Sequence, residues 1–193
     1  MKKYFLLPII ALFITIPLSA QASTWAIDPV HTTVGFKVQH LTISNVKGIF
    51  ETVSGTLNIN DEDITKSTMD IRIDTNSINT HVKMRDDDLR SPNFFDVKKY
   101  PEMTFVSKNI SKTGENSFKV EGYLKLHGII KPVTLNVKNL SREIKDPWGG
   151  IRRGVTATAK INRTDFGIGA TEPASLIGDE ISITLDVEIV KQP

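Results

Sequence analysis

Apolar and polar residues alternate with period two through eight stretches of the chain. Val34, Phe36 and Val38 share one side, with Lys37 and Gln39 on the other. Val53, Gly55, Leu57 and Ile59 repeat the pattern, then Met69, Ile71 and Ile73, then Met103 and Phe105. Phe118, Val120, Gly122, Leu124 and Leu126 follow, then Val133, Leu135 and Val137. Val155, Ala157, Ala159 and Ile161 form the seventh run, and Ile181, Ile183, Leu185, Val187 and Ile189 the eighth. A strand with one face in a core and one in water has this signature. Turn residues separate the runs at Asn60 to Asp63, Lys112 to Asn116, His127-Gly128 and Asp146 to Gly150. Eight strands at this spacing, with no long helical pattern between them, predict an all-β antiparallel barrel or sandwich.

The pattern leaves barrel and sandwich open. Gly55, Gly122, Ala157 and Ala159 put little volume inside. Such positions suit an eight-stranded barrel with room for one ligand, and equally strands that bend or bulge. One segment, Asn79 to Pro101, breaks the alternation. Asn79 or Thr80 can cap a short helix from about Val82 to Leu89, with Val82, Arg85 and Leu89 on one side. Asp86, Asp87 and Asp88 are poor mid-helix residues and keep it short, and Ser91-Pro92 ends it. Phe94 and Phe95 follow on irregular chain, where at least one ring is expected to insert into the core or a barrel mouth.

The N-terminus changes the picture of where this domain works. Lys2 and Lys3 precede an apolar run from Tyr4 to Pro17, and Ala20-Gln21-Ala22 supplies small residues for cleavage. This predicts a secretory signal over residues 1–22, removed after Ala22, and a single exported domain over 23–193. The bacterial periplasm is its simplest destination. Of 193 residues 171 then remain, enough for one domain that buries about 70% of its unfolded surface. Lysine and arginine total 24 against 22 acidic residues, so loss of Lys2 and Lys3 leaves a formally neutral domain. That gives no basic field for nucleic acid. The chain has no cysteine, which excludes thiol catalysis, thiolate metal sites and a lipoprotein anchor.

Candidate chemistry is sparse. His31, His40, His81 and His127 lie 9, 41 and 46 residues apart, which matches no compact metal-ligand spacing. No metal or cofactor is expected. His40 extends the inward series of Val34, Phe36 and Val38, either as a contact for a ligand head group or as a hydrogen-bonded core histidine. The run Asp86 to Asp88 lacks the alternating ligands of a calcium loop and reads as a solvated helix face, with Arg85 paired to a nearby carboxylate. No G-x-S-x-G, H-E-x-x-H or G-x-x-x-x-G-K-[ST] motif is present.

Five ordered blocks carry a family resemblance: WAIDPVHTTVGFKVQHL, RDDDLRSPNFFDVKKYPEMTF, GYLKLHGIIKPVTL, DPWGGIRRG and INRTDFGIG. Together they resemble the YceI-like family of secreted bacterial proteins, from about Trp25 to Val190. The resemblance implies a lipocalin-like, eight-stranded antiparallel barrel around a long apolar ligand, a polyisoprenoid or other long-chain amphiphile such as an isoprenoid quinone or prenyl pyrophosphate. It also implies a link to stress and to membrane cytochromes of the b561 type, and no enzymatic activity. The family often reads R-D-x-H-L in the insertion; here Asp88 stands where that histidine falls, and no role of that histidine carries over.

The expected apolar tunnel is Phe36, Val38, Leu57, Ile71, Phe105, Val120, Leu124, Leu135, Ala157 and Ile183, with Met84, Leu89, Phe94 and Phe95 lining or closing one end. Arg85, His40, His127 and Arg163 are the candidates for the polar end. Monomer and homodimer are both compatible with the sequence, as is transient contact with a membrane. Two rival readings differ in the interior: an enzyme acting on a bound prenyl lipid needs a polar cluster inside the barrel, and a structural or stress-response interaction module needs a filled one.

Overall fold

The computed structural model describes residues 22–193, so the expected signal peptide lies outside the described residues apart from Ala22. Twelve strands form among them: β1 (Ser23–Ile27), β2 (Thr33–His40), β3 (Ser44–Phe50), β4 (Val53–Ile59), β5 (Thr68–Asp74), β6 (Ile78–Asn79), β7 (Glu102–Gly114), β8 (Ser117–Leu126), β9 (Ile129–Lys138), β10 (Ile144–Lys145), β11 (Ile151–Asn162) and β12 (Ile177–Lys191). One helix, α1 (Lys83–Arg90), sits between β6 and β7.

The pairings reduce these strands to eight staves. β12 meets both β1 and β2 along one edge, through Ile189–Ile27 and Ile183–Phe36, so β1 and β2 are one stave broken at Asp28 to Thr32. β3 pairs with β2 and β4 with β1, so those two also run in line. β6 follows β5 in the same way, against β3 and β4. β7, β8 and β9 meander onward, and β11 joins β9. β12 lies along β11 from Arg152–Val190 to Asn162–Glu180 and closes the wall against the first stave. The result is a closed, eight-stranded, antiparallel up-and-down barrel, which decides between barrel and sandwich. Closure pairs the long staves on both sides except along β9 before Asn136, because β11 joins β9 only through Asn136, Val137 and Lys138.

All eight alternating runs are strands. β1 and β3 went unseen in the pattern because β1 is five residues long and the inward series of β3 is Val46, Gly48 and Phe50, interrupted by glycine. That glycine has a reason: a Cβ at Gly48 would strike the Phe36 ring on the paired strand. Gly122 likewise lies under Phe105, beside a register shift between Ser107 and Asn109. The inward glycines are therefore places of bending and close approach.

One end of the barrel is shut. Trp25 is fully buried there, donating its Nε1–H to Ser23 Oγ at 2.8 Å. The Arg153 guanidinium lies 5.3 Å from the Trp25 ring centre and pairs with Asp61 at 2.9 Å. Ile59, Ile110, Phe118 and Ile189 are buried around them.

Outside the same end, one arginine ties three segments together. Arg152 reaches Asp28 and Glu188 with Nη1, each at 2.5 Å, and Asp146 with Nε at 2.6 Å. The donor atoms of Asp28, His31 and Glu188 lie within 4.8 Å of one another, as a metal site requires, but Arg152 already holds two of the three. Asp146 in turn accepts from Trp148 N and Gly150 N and so fixes its loop. The Arg152 bond holds both Asp28 and Asp146 below the usual carboxylate range, helped at Asp28 by His31. Lowered folded values mean stability that is complete above the unfolded aspartate pKa of about 3.9 and lost as pH falls through the folded values below it. Melts of wild type from pH 6 to pH 2 are expected to weaken chiefly below about pH 4. Arg152→Gln leaves three carboxylates facing each other, so its melting point drops at pH 7 and changes less on acidification.

Candidate ligand-binding site

A cavity of about 540 Å³ runs inside the barrel. That is within the range of small-molecule sites. Its wall is built by the inward half of each alternating strand, so Phe36, Val38, Leu57, Ile71, Phe105, Val120, Leu124, Leu135, Ala157 and Ile183 all line it. The charged residues of the lining are Arg85, Asp88, Arg163 and Glu172, and these lie with His40 at the end opposite Trp25. This end is the mouth.

The insertion caps the mouth. Leu89, Phe94 and Phe95 line the cavity as expected. Phe95 meets Phe50 edge-on at 5.6 Å, and Phe50 meets Phe36 at 5.7 Å, so three rings run down from the rim. Phe94 is buried, held where Asn93 O accepts from Gly169 N at 3.0 Å.

The helix docks differently from the sequence expectation. Its N-cap residue is Val82, with no side-chain cap. Thr80 instead donates N–H and O–H to Asp86 Oδ1, at 2.8 and 2.5 Å, and accepts from Arg85 Nε at 2.8 Å. Asp86 is thus the buried acid of the run. Burial pushes its carboxyl up, but the two Thr80 bonds and the charges of Arg90 and Arg85 outweigh this and hold it below the usual range. Arg85 binds Thr80 rather than pairing with a carboxylate, and Arg90 anchors the helix by donating to Asn76 O and Ile78 O.

Three of the expected site residues need correction. Met84 is 81% exposed and does not line the cavity. Arg85 and Leu89, four apart, share the inward side of α1, and Met84 sits about 100° around from Arg85. His127 is also absent from the lining. Its Nδ1 lies 3.0 Å from Phe166 O and its ring stacks edge-on to Tyr100, so it secures the β8–β9 turn.

Arg163 does border the cavity, but its guanidinium is fully engaged. It is 3% exposed. Nε donates to Gly178 O, Nη1 to Ile168 O and Gly169 O, and Nη2 to Glu172 O and Ile177 O. Asp179 balances its charge at 3.0 Å. An arginine has five N–H donors, and each has a carbonyl here. Arg163 builds the loop 167–176 and the start of β12, which form one side of the mouth, and it has nothing left for a ligand.

Arg85 and His40 remain as polar contacts at the rim. Arg85 uses two N–H groups on Thr80, which leaves three for a guest. Sequence reasoning missed Asp88, Asn93 and Glu172, which share the mouth with them. The groups held away from their ordinary values, Asp28, Asp63, Asp86, Lys99, Asp146 and Arg152, all lie outside the lining.

Comparison with known proteins places this geometry. The chain is similar to a UPF0312 protein of Vibrio parahaemolyticus, at 35% identity over 185 residues covering 95% of this chain and 97% of that one. It is similar to a protein YceI of Salmonella newport, at 37% identity with 90% of each covered. The crystal structure of a Campylobacter jejuni YCEI protein superposes with a TM-score of 0.73 at 30% identity, covering both chains in full. A polyisoprenoid binding domain from Saccharophagus degradans, implicated in plant cell wall breakdown, shares the fold with a TM-score of 0.64 at 20% identity, over 87% of this chain and 98% of that one. The YceI-like domain matches residues 25–189, from the buried tryptophan of the floor to the last inward isoleucine of β12, and the chain belongs to the YceI-like family.

Proposed function

We propose that this protein is a periplasmic, non-enzymatic carrier for a long-chain isoprenoid-type lipid, held tail-down in the barrel. The observation that carries the reading is the cavity: apolar along its length, shut at Trp25 and charged only at the mouth. A hollow interior argues against a filled interaction module. The charged side chains of the lining are confined to the mouth, which argues for binding over chemistry on a buried tail. The likeness to a polyisoprenoid binding domain supports the choice of ligand class.

Energetics favour exchange. Burying methylenes is worth ~0.8 kcal/mol each, so a forty-carbon tail taken from water sums to roughly 30 kcal/mol, beyond the ~21 kcal/mol that non-covalent binding reaches. In a cell the tail starts in a bilayer, already out of water, and its transfer into the barrel is close to balanced. That suits loading from one membrane site and release at another, with a cytochrome of the b561 type as the proposed acceptor.

The mouth also ranks head groups. Arg85 is its one cation with N–H groups to spare among the described residues, and it shares the mouth with Asp88 and Glu172. A neutral head with carbonyl oxygens, as in an isoprenoid quinone, fits this better than a diphosphate, which the two carboxylates repel. Competition between a prenyl quinone and a prenyl diphosphate of equal tail length is expected to favour the quinone. Arg85→Gln should weaken quinone binding about tenfold, the worth of one charged hydrogen bond. Equal binding of both heads, unaffected by Arg85→Gln, contradicts this assignment. Export is checked separately: the mature protein should begin at Ser23.

A further inference from the structure

The β2–β3 hairpin stands at the rim of the mouth, where Gln39 and His40 line the cavity. Its turn displays Leu41 at 47% and Ile43 at 83% exposure. The turn is closed by Ile43 N donating to His40 O, and Leu41 N donates to Leu176 O, which ties the hairpin to the loop that Arg163 builds. Its central residues, Leu41 and Thr42, have φ of 50° and 63°. Glycine and asparagine tolerate that conformation, and a β-branched threonine is strained in it. Large side chains are thus presented at the tip where the local geometry favours small ones.

The outer face of the same hairpin holds an unbalanced charge. Lys37 and Lys47 are cross-strand partners and both are exposed. Like charges directly opposite repel. Among the described residues no carboxylate lies within ion-pair distance of either, whereas Lys66, Lys83, Lys160 and Lys191 are each paired. Lys37 and Lys47 each stand four residues from a tip residue, Leu41 and Ile43. Four strand residues span about 13 Å. A tip buried 5–10 Å into the boundary of a bilayer brings long lysine side chains to the level of the lipid phosphates.

From these features we propose that the β2–β3 hairpin docks the protein on an anionic phospholipid bilayer, with Leu41 and Ile43 inserted and Lys37 and Lys47 on the phosphates. The proposal rests on the carrier reading: a tail that is insoluble in water must cross between bilayer and cavity, and docking sets the mouth against the bilayer surface. Met84, exposed on the helix at the same end, adds apolar surface to that face.

The test is sedimentation with vesicles of phosphatidylcholine alone or with 30% phosphatidylglycerol, free of any isoprenoid. Wild type is expected to bind the anionic vesicles, and less so as salt rises. Lys37→Gln with Lys47→Gln should lower partitioning about 30-fold, and Ile43→Asp about tenfold or more. Trp148→Ala, on the exposed tryptophan at the floor end, should change nothing. Uptake of a prenyl probe from solution is measured on the same variants and should be unaltered, since none of these residues lines the cavity. Equal binding to both vesicle types, unchanged binding by the hairpin variants, or loss only in Trp148→Ala overturns the proposal. Probe uptake without vesicle binding sinks the docking and leaves the carrier, and no uptake by wild type sinks the carrier itself.

Discussion

Arg163→Met is expected to lower the melting temperature by about 10 °C, more than any other single substitution considered for this barrel. The substitution is similar in length and apolar, so packing is largely kept and the hydrogen bonds are what is lost. Five carbonyl groups, those of Ile168, Gly169, Glu172, Ile177 and Gly178, lose their donor at once. Each buried polar group without a partner costs about 1–3 kcal/mol, but loop 167–176 can open to water and recover part of this. A net loss of about 3–4 kcal/mol follows. At 2–4 °C per kcal/mol for a chain of this size, the melting point moves by roughly 10 °C. Lysine at 163 is expected to rescue little, because a single ammonium cannot reproduce the planar fork. Thermal melts of both variants check this, and a loss below 2 °C in Arg163→Met would show that the loop does not depend on the arginine.

Ala157→Phe should abolish lipid binding, by 100-fold or more, in a protein that melts within a few degrees of wild type. Ala157 is a buried small residue of the cavity wall, paired across to Val137 and Leu185. A phenyl ring there enters space a guest would fill. Displacing about four methylenes removes roughly 3 kcal/mol of burial, above two orders of magnitude in affinity. Overpacking a filled core usually destabilises by 1–3 kcal/mol, so a stable Ala157→Phe also reports that the space is real. Probe titrations and melts on one preparation separate the two effects. Unchanged affinity would mean that the guest sits elsewhere.

Much of this site was legible in the sequence because strand geometry is a period-two code. Once Val120 and Leu124 are read as inward, Leu135 and Ala157 follow from the same rule, and all of them line the cavity. The count of eight also held, although for a less simple reason. β1 and β3 gave no clear run, yet each completes a stave already represented by β2 or β4, and the breaks depend on register between distant strands. Helical stretches are less forgiving: with about 100° between neighbours, Met84 and Arg85 differ by one position and face opposite fates.

The polar end was read least well. Arg163 stood among the candidates for the polar end, and its actual role depends on carbonyls contributed by chain up to fifteen residues later. A clue was present in Gly167 and Gly169, which adopt φ of 70° and 56° and turn the chain back over the arginine. His127 was similarly claimed by a backbone carbonyl 39 residues away. Such bonds are tertiary, and no local pattern marks them. Asp86 shows the same limit, since three adjacent aspartates look alike in sequence and only one is taken up by Thr80.

The most direct test of the proposed carrier role is native mass spectrometry of the protein isolated from its own host cells without detergent, followed by solvent extraction of the same sample. The account predicts a mass above that of the chain from Ser23, removed by extraction, with an isoprenoid-type lipid in the organic phase and reloading by a prenyl quinone. A bare chain mass, an extract free of lipid and no uptake of the quinone would contradict it.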